Sequence, residues 1–196
     1  MKRDPHTNEE GKYRISSLYF DNYTDKALKE KANGVQKREK YRIRWYNDSK
    51  ASLTLEKKMK VNNLCMKFGT KITEEQYQMI LDKNYDWMLE TSDKLIREFY
   101  YRIRQQRLTS KVVVSYIREP YIFRFGNVRI TFDSEISTSL AGHNFEYDSV
   151  DVPASDEIIL EVKYDEYLPG VISDILQLGN LKQNAFSKYM TCRKYG

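Results

Sequence analysis

The 196-residue chain has two cysteines, two histidines and no long apolar run. Each scarcity excludes something. Cys65 and Cys192 show no metal-ligand spacing and are too few for a disulfide framework, so a reducing cytoplasm is the default setting. His6 lies in a polar terminal segment and His143 in "AGHN", a loop pattern; neither builds a histidine metal site or triad, and both read as bystanders. The runs "VVV" and "IIL" fall far short of a membrane span, and no signal-peptide core follows Met1. The expectation is a cytoplasmic chain with no transmembrane segment.

What the chain does have is charge and tyrosine. Charged residues make up 31% against 40% apolar, and 33 Lys+Arg outnumber 28 Asp+Glu by five. An excess of that size is compatible with an anionic ligand but does not demand one. The 16 tyrosines favour strands and half-wet surfaces. No linker, repeat or low-complexity tract interrupts the chain, so residues 1–196 are read as a single domain.

Strand patterns dominate. "YRISSLYF" (13–20) reads as a strand, with a short helix over 25–32 stopped by Asn33-Gly34. "EKYRIRWYN" (39–47) and "ASLTLEKKMK" (51–60) are two strands joined through "DSK". Thr73-Glu74-Glu75-Gln76 is a capping box opening a helix to Asp82, and Ser92-Asp93 opens a longer one to Gln106. "SKVVVSYIREPYIFRF", "NVRITFD" and "DEIILEVKYD" are further strands, with "FGN" a tight turn between the first two. Pro169 marks a helix start, and "NAFSKYMTC" reads as a closing helix. Strands mostly neighbouring strands predict an α+β chain built on an antiparallel sheet or barrel.

Four strands share one design, an apolar face opposite a charged one. Tyr41, Ile43 and Trp45 oppose Arg42 and Arg44; Leu53 and Leu55 oppose Thr54, Glu56 and Lys58, with Lys57 on the leucine side. Val128, Ile130 and Phe132 oppose Arg129, Thr131 and Asp133; Leu160 and Val162 oppose Glu161 and Lys163. Two arginines about 7 Å apart along a strand repel by roughly 0.6 kcal/mol in water but about 2.4 kcal/mol at an effective dielectric near 20. Exposed, such a pair is cheap, and these would be ordinary solvated faces of a half-buried sheet. Enclosed in a barrel, the pair needs an anion. Arginine forks suit phosphate oxygens, and carboxylates such as Glu56 and Glu161 suit a hard divalent cation bridging the same phosphates. Carboxylates on the binding face argue against nucleic acid, and a single-stranded RNA binder is the weaker rival.

Taken in order, "SLYFDN", "KYRIRWY", "LEKK", "VSYIREPY", "VRITFD", "LEVKYD" and "NAFSKYM" resemble the VTC domain, the polyphosphate polymerase domain of the vacuolar transporter chaperone family, within the CYTH-like triphosphate tunnel metalloenzymes. The resemblance runs from Tyr13 to Lys188. It implies an antiparallel β-barrel with flanking helices, a basic tunnel and Mn²⁺ or Mg²⁺ on acidic residues. Catalytic members transfer the ATP γ-phosphate to a growing inorganic polyphosphate. Carried over by motif, Arg42, Arg44, Lys58, Arg118 and Arg129 would hold the triphosphate. Lys67, Lys163, Ser187 and Lys188 would be further phosphate contacts, and Glu161, with Glu56 second, would bind the metal. Lys67 is read as following a loop. The family's additional first strand, of "E-x-K-Y" character, has no counterpart before "SLYFD", so a tunnel lacking its first strand is expected, whether as a fragment or a short form. The resemblance leaves open an inorganic triphosphatase, a nucleotidyl cyclase, a non-catalytic polyphosphate-binding module, and a membrane partner subunit.

Overall fold

The computed structural model describes every residue except 6, 63, 140–150, 178, 180–183, 195 and 196. The histidine readings, of His6 and His143, therefore lie outside the described residues. Nine strands form one antiparallel sheet: β1 (Lys2–Arg3), β2 (Tyr13–Asp21), β3 (Lys37–Tyr46), β4 (Ser49–Val61), β5 (Leu64–Ile72), β6 (Thr109–Phe123), β7 (Val128–Ser139), β8 (Asp151–Ser155) and β9 (Ile159–Lys163). Their order is β5-β4-β3-β2-β6-β7-β8, with β1 on the far end of β6 and β9 beside the first half of β7. Helices α1 (Lys26–Ala32), α2 (Glu74–Leu81), α3 (Trp87–Glu90), α4 (Lys94–Gln106), α5 (Gly170–Ile175) and α6 (Lys188–Cys192) are attached to it. The fold is α+β, as the strand-rich pattern predicts. Among the described residues no ladder joins β5 to β8 or β9, so the sheet is curled but open along that seam.

The turn chemistry accounts for most of the register. Asn47 and Asp48, both left-handed at φ 50° and 55°, make a two-residue turn that pairs Tyr46 with Ser49. The connection is thus "ND", shorter than the "DSK" read from the sequence. A second hairpin follows Val61, with Asn62 at φ 54°, and its return strand is β5. Lys67 therefore stands in a strand, opposite Lys58, and not after a loop. The loop reading failed because β5 carries glycine, cysteine and lysine where strands favour branched residues. Strands β1 and β8 and the one-turn α3 also had no sequence signal.

Period-two alternation divides the sheet into two faces. On the convex face Leu18, Phe20, Tyr41, Ile43, Trp45, Leu53 and Leu55 pack under α2, α3 and α4. The long helix α4 contributes Ile96, Phe99 and Ile103, a stripe at helical spacing, and Asp93 caps it by accepting from the Leu95 and Ile96 amides. Helix α2 opens with the expected capping box, Thr73 and Gln76 exchanging hydrogen bonds. Lys57 is buried on this apolar face, its ammonium held by Glu39 at 3.2 Å and by Glu98 of α4. A second apolar cluster, including Ile15, Tyr19, Val112, Val114 and Ile136, lies on the concave face under Tyr189 and Cys192 of α6. A third joins Val128 and Ile130 to Ile172 of α5, where Leu160 and Val162 of β9 dock.

Phe99 is fully buried, stacked on Tyr41 at 5.1 Å between ring centroids and edge-on to Phe20 at 5.0 Å. Phe99→Ala should cost about 3–5 kcal/mol of stability in urea unfolding; a loss below about 1 kcal/mol would mean that α4 is not the main cover of the convex face.

Candidate anion-binding cavity

The concave face reads as rows of residues crossing adjacent strands. Arg38 of β3 sits opposite Lys60 of β4, and Lys60 opposite Cys65 of β5. One step along, Lys40, Lys58 and Lys67 stand side by side. The next row is Tyr19, Arg42 and Glu56, and the next Ser17, Arg44 and Thr54. Like charges directly opposite one another destabilise a sheet. This face is therefore built for something other than its own stability.

These rows wall a cavity of about 570 Å³, within the range of small-ligand sites. Among the described residues, eleven Lys or Arg side chains line it, from Lys31 of α1 at one end to Arg118 and Lys163 at the other. Of the described residues only two carboxylates join them, and Glu39 is turned to Lys57 and Arg102, leaving Glu161. The structure brings together Arg42, Arg44, Lys58, Lys67, Arg118, Glu161, Lys163, Ser187 and Lys188. Arg129 is not among them. It lies in a separate hollow, donating to Asp4 at 3.0 Å and the Tyr13 hydroxyl at 2.9 Å.

Two buried carboxylates hold the cations in place. Glu56, 3% exposed, accepts from Arg42 Nε and Nη2 at 2.7 Å on one oxygen and from Lys67 Nζ at 2.5 Å on the other. Burial pushes its carboxyl up, but Arg42, Arg44 and Lys67 outweigh burial and hold it at about 2. Both its oxygens are thus committed to cations, which makes it a framing counter-ion. Asp133, fully buried, takes a bidentate fork from Arg118 at 2.7 Å on each oxygen and Lys188 Nζ at 2.6 Å. Burial raises its carboxyl too, and Arg118 and Lys188 lower it to a net depression.

Tyr19 lies inside the cationic wall, its hydroxyl receiving Arg42 Nη1 at 2.8 Å. Burial alone would raise its phenol, yet Arg42, Lys40 and Arg44 bring it down to about 7. Lys40 beside it is pushed down, first by burial and then by Arg42, Lys58 and Lys31, against the opposing pull of Tyr19. Helix α6 closes this side. Ser187 caps it by accepting from the Met190 amide, Lys188 spans Asp133 and the Tyr116 ring, and Tyr189 stacks on Tyr19 at 4.9 Å. Its hydroxyl donates to Asp21 at 2.9 Å.

Glu161 differs from Glu56 in exposure and not in pairing, since both its oxygens also meet cations. Its side chain is 37% exposed, with Lys163 at 3.1 Å on one oxygen and Arg118 at 3.3 Å on the other. Among the described residues no group of three or more acidic, histidine or cysteine side chains could hold an ion. One carboxylate facing an anion cavity does fit a Mg²⁺-like ion, which commonly takes one or two carboxylates and completes its shell with phosphate oxygens and water.

Several members of this wall were not singled out from the sequence. Arg38 and Lys40 continue the alternation of Arg42 and Arg44 backward along β3, so extending that pattern two steps would have found them. Lys60 extends β4 in the same way. Tyr19, Lys31 and Tyr116 carry no such signal, because their roles arise from cross-strand and helix–sheet neighbours.

The fold is thus a curled antiparallel sheet, open along one seam, with a cation-walled concave face; the expected closure into a barrel is not seen among the described residues. The chain belongs to the VTC domain family, which matches residues 1–195, and that membership associates it with triphosphate and polyphosphate chemistry. Among solved structures it is similar to a candidate adenylate cyclase from Bacillus halodurans, at 12% identity and TM-score 0.54, covering 93% of this chain and 82% of that one. A Pyrococcus horikoshii protein aligns at 14% identity over 84% and 70% of the two chains, with a TM-score of 0.37 that carries no argument. No curated protein matches. Among the described residues no helix is long and apolar enough to cross a membrane.

The depressed carboxyl of Glu56 makes a stability contribution present above its ordinary value of 4.5 and lost as pH falls toward about 2. Glu56→Gln should therefore lower stability by about 3 kcal/mol at neutral pH, with the gap to wild type closing as urea titrations move down through pH 4.5. A gap independent of pH would contradict the counter-ion role.

Proposed function

We propose that the chain is a metal-dependent polyphosphate polymerase that transfers the ATP γ-phosphate to inorganic polyphosphate in this cavity. The row of Lys40, Lys58 and Lys67, flanked by Arg38, Lys60, Arg42 and Arg44, carries the reading. Such a surplus of enclosed cations calls for a ligand with several negative charges in line. Along β3 the run from Arg38 to Arg44 covers about 20 Å, enough for a chain of phosphates rather than one.

Phosphoryl transfer asks the protein mainly to align oxygens and neutralise their charge. Arg42, Arg44, Lys58 and Lys67 would bind the phosphate chain, and Arg118 and Lys188, fixed by Asp133, would orient its inner end. Glu161 would hold a divalent ion such as Mn²⁺ or Mg²⁺, whose charge would draw electron density from the transferring phosphoryl group. The acceptor is itself an oxyanion, so no protein base is required. Closing the polymerisation chemistry from water would fall to α6, which covers the Tyr19 side.

A binding module without turnover is the second reading, favoured by the two cations already paired with Glu161. Incubation with ATP and Mn²⁺ or Mg²⁺, followed by analysis of the phosphate products, separates the possibilities. The polymerase reading predicts ADP and polymer. Orthophosphate alone would indicate a triphosphatase, and tripolyphosphate binding without turnover a binding module. Arg42→Ala and Arg44→Ala should each weaken tripolyphosphate binding roughly 10- to 100-fold, the worth of one or two charge-assisted hydrogen bonds.

A further inference from the structure

The basic cavity has a neighbour of different chemistry. A second hollow, also about 570 Å³, is lined by Asp4, Tyr13, Tyr46, Asn47, Ile122 and Arg129. Where the first is walled with cations, the described residues give this one a single arginine, which donates to Asp4 at 3.0 Å. The Asp4 carboxylate, in a residue 6% exposed, would repel a phosphate chain entering here. Rings and aliphatic surface supply much of the remaining lining. Tyr46 stands edge-on to Tyr13 at 5.8 Å between centroids and is itself 38% exposed, so much of its ring is open to a ligand.

The register joins the two hollows. Arg129 of the second lies directly opposite Lys163 of the first across β7 and β9. Tyr13 of the second lies directly opposite Arg118 of the first across β2 and β6. Side chains paired in this way start about 5 Å apart. A ligand with its anionic part beside Arg118 and Lys163 therefore meets the second hollow within its next few atoms.

We propose that the second hollow is a nucleoside subsite, taking the ribose and base of a nucleoside triphosphate whose phosphates lie in the basic cavity, with the base stacked on Tyr46. The inference rests on the cavity being a phosphate site, as above, and deepens it by naming the residues that hold the rest of the substrate. It also gives the cavity a direction. A nucleoside beyond Arg118 and Lys163 points the terminal phosphate toward the Lys40–Lys58–Lys67 row. The far end, with Lys31, Arg38 and Lys60, is then left to the phosphate acceptor.

The test compares ATP with tripolyphosphate, which shares its phosphates and lacks its nucleoside. Both are titrated by calorimetry at physiological salt into wild type, Tyr46→Ala and Ile122→Trp, the last of which fills the hollow. The subsite predicts that ATP affinity falls roughly 5- to 100-fold in Tyr46→Ala, the worth of one base stack, and falls also in Ile122→Trp. Tripolyphosphate affinity should stay within about twofold of wild type in both, which also shows that the variants fold. ATP affinity that is unchanged in both variants, or that falls only in step with tripolyphosphate, would overturn the subsite while leaving the phosphate site standing. Wild-type protein that binds neither ligand would overturn both readings.

Discussion

Repulsion between like charges is the constraint around which this molecule is arranged. Arg42 and Arg44 sit two residues apart on one face, and the Lys40–Lys58–Lys67 row lies immediately beside them. At an effective dielectric near 20, each such pair about 7 Å apart costs roughly 2.4 kcal/mol, and the cavity encloses many pairs. The fold offsets this at two points. Glu56 neutralises the β3 and β5 side, and Asp133 neutralises the β6 and α6 side. Neither suffices to balance the eleven cations among the described residues, which leaves these rows short of negative charge. That shortfall is where a bound polyanion would gain its binding free energy.

The opposite face makes the arrangement affordable in stability. Strands β3 and β4, which point arginine or lysine inward, point leucine, isoleucine or aromatic residues outward, where α2 to α4 bury them, and Ile130 of β7 and Val162 of β9 are covered by α5. Full burial of one such side chain contributes about 1.5–3 kcal/mol, so the convex core can carry a concave face that works against folding. Lys57 shows the limit of the pattern. It breaks the apolar face of β4 and is tolerated because Glu39 and Glu98 meet its ammonium there. Helix α6 joins the two requirements, since Tyr189 and Cys192 pack on the concave apolar cluster while Lys188 reaches Asp133.

How much of this is legible in the sequence depends on which coordinate is asked for. Alternation in "KYRIRWY" and "EVK" tells which face a residue occupies, and the structure puts Arg42, Arg44, Glu161 and Lys163 on the inner face as that alternation requires. Alternation does not tell how far along the strand the site extends. Arg129 shares the inner face with Asp133, yet four residues of strand carry it into the second hollow. Pairing across strands is equally silent. The resemblance ranks Glu161 before Glu56 as a metal candidate, and only the register shows Arg42 and Lys67 closing on both oxygens of a buried Glu56. Alternation puts Asp133 on the charged face of "VRITFD" but does not show that Arg118 lies opposite it.

Tyr19 offers the most direct probe of the central claim, that a phosphate chain occupies the space among Arg42, Lys40 and Arg44. Those cations hold its phenol at about 7, so a polyanion that neutralises them should push it back toward its ordinary 10.0. Tripolyphosphate added a little above pH 7 should therefore remove tyrosinate absorbance with uptake of a proton, and Tyr19→Phe should abolish the signal. Tripolyphosphate that binds with the tyrosinate signal unchanged would place it elsewhere on the protein and contradict the account.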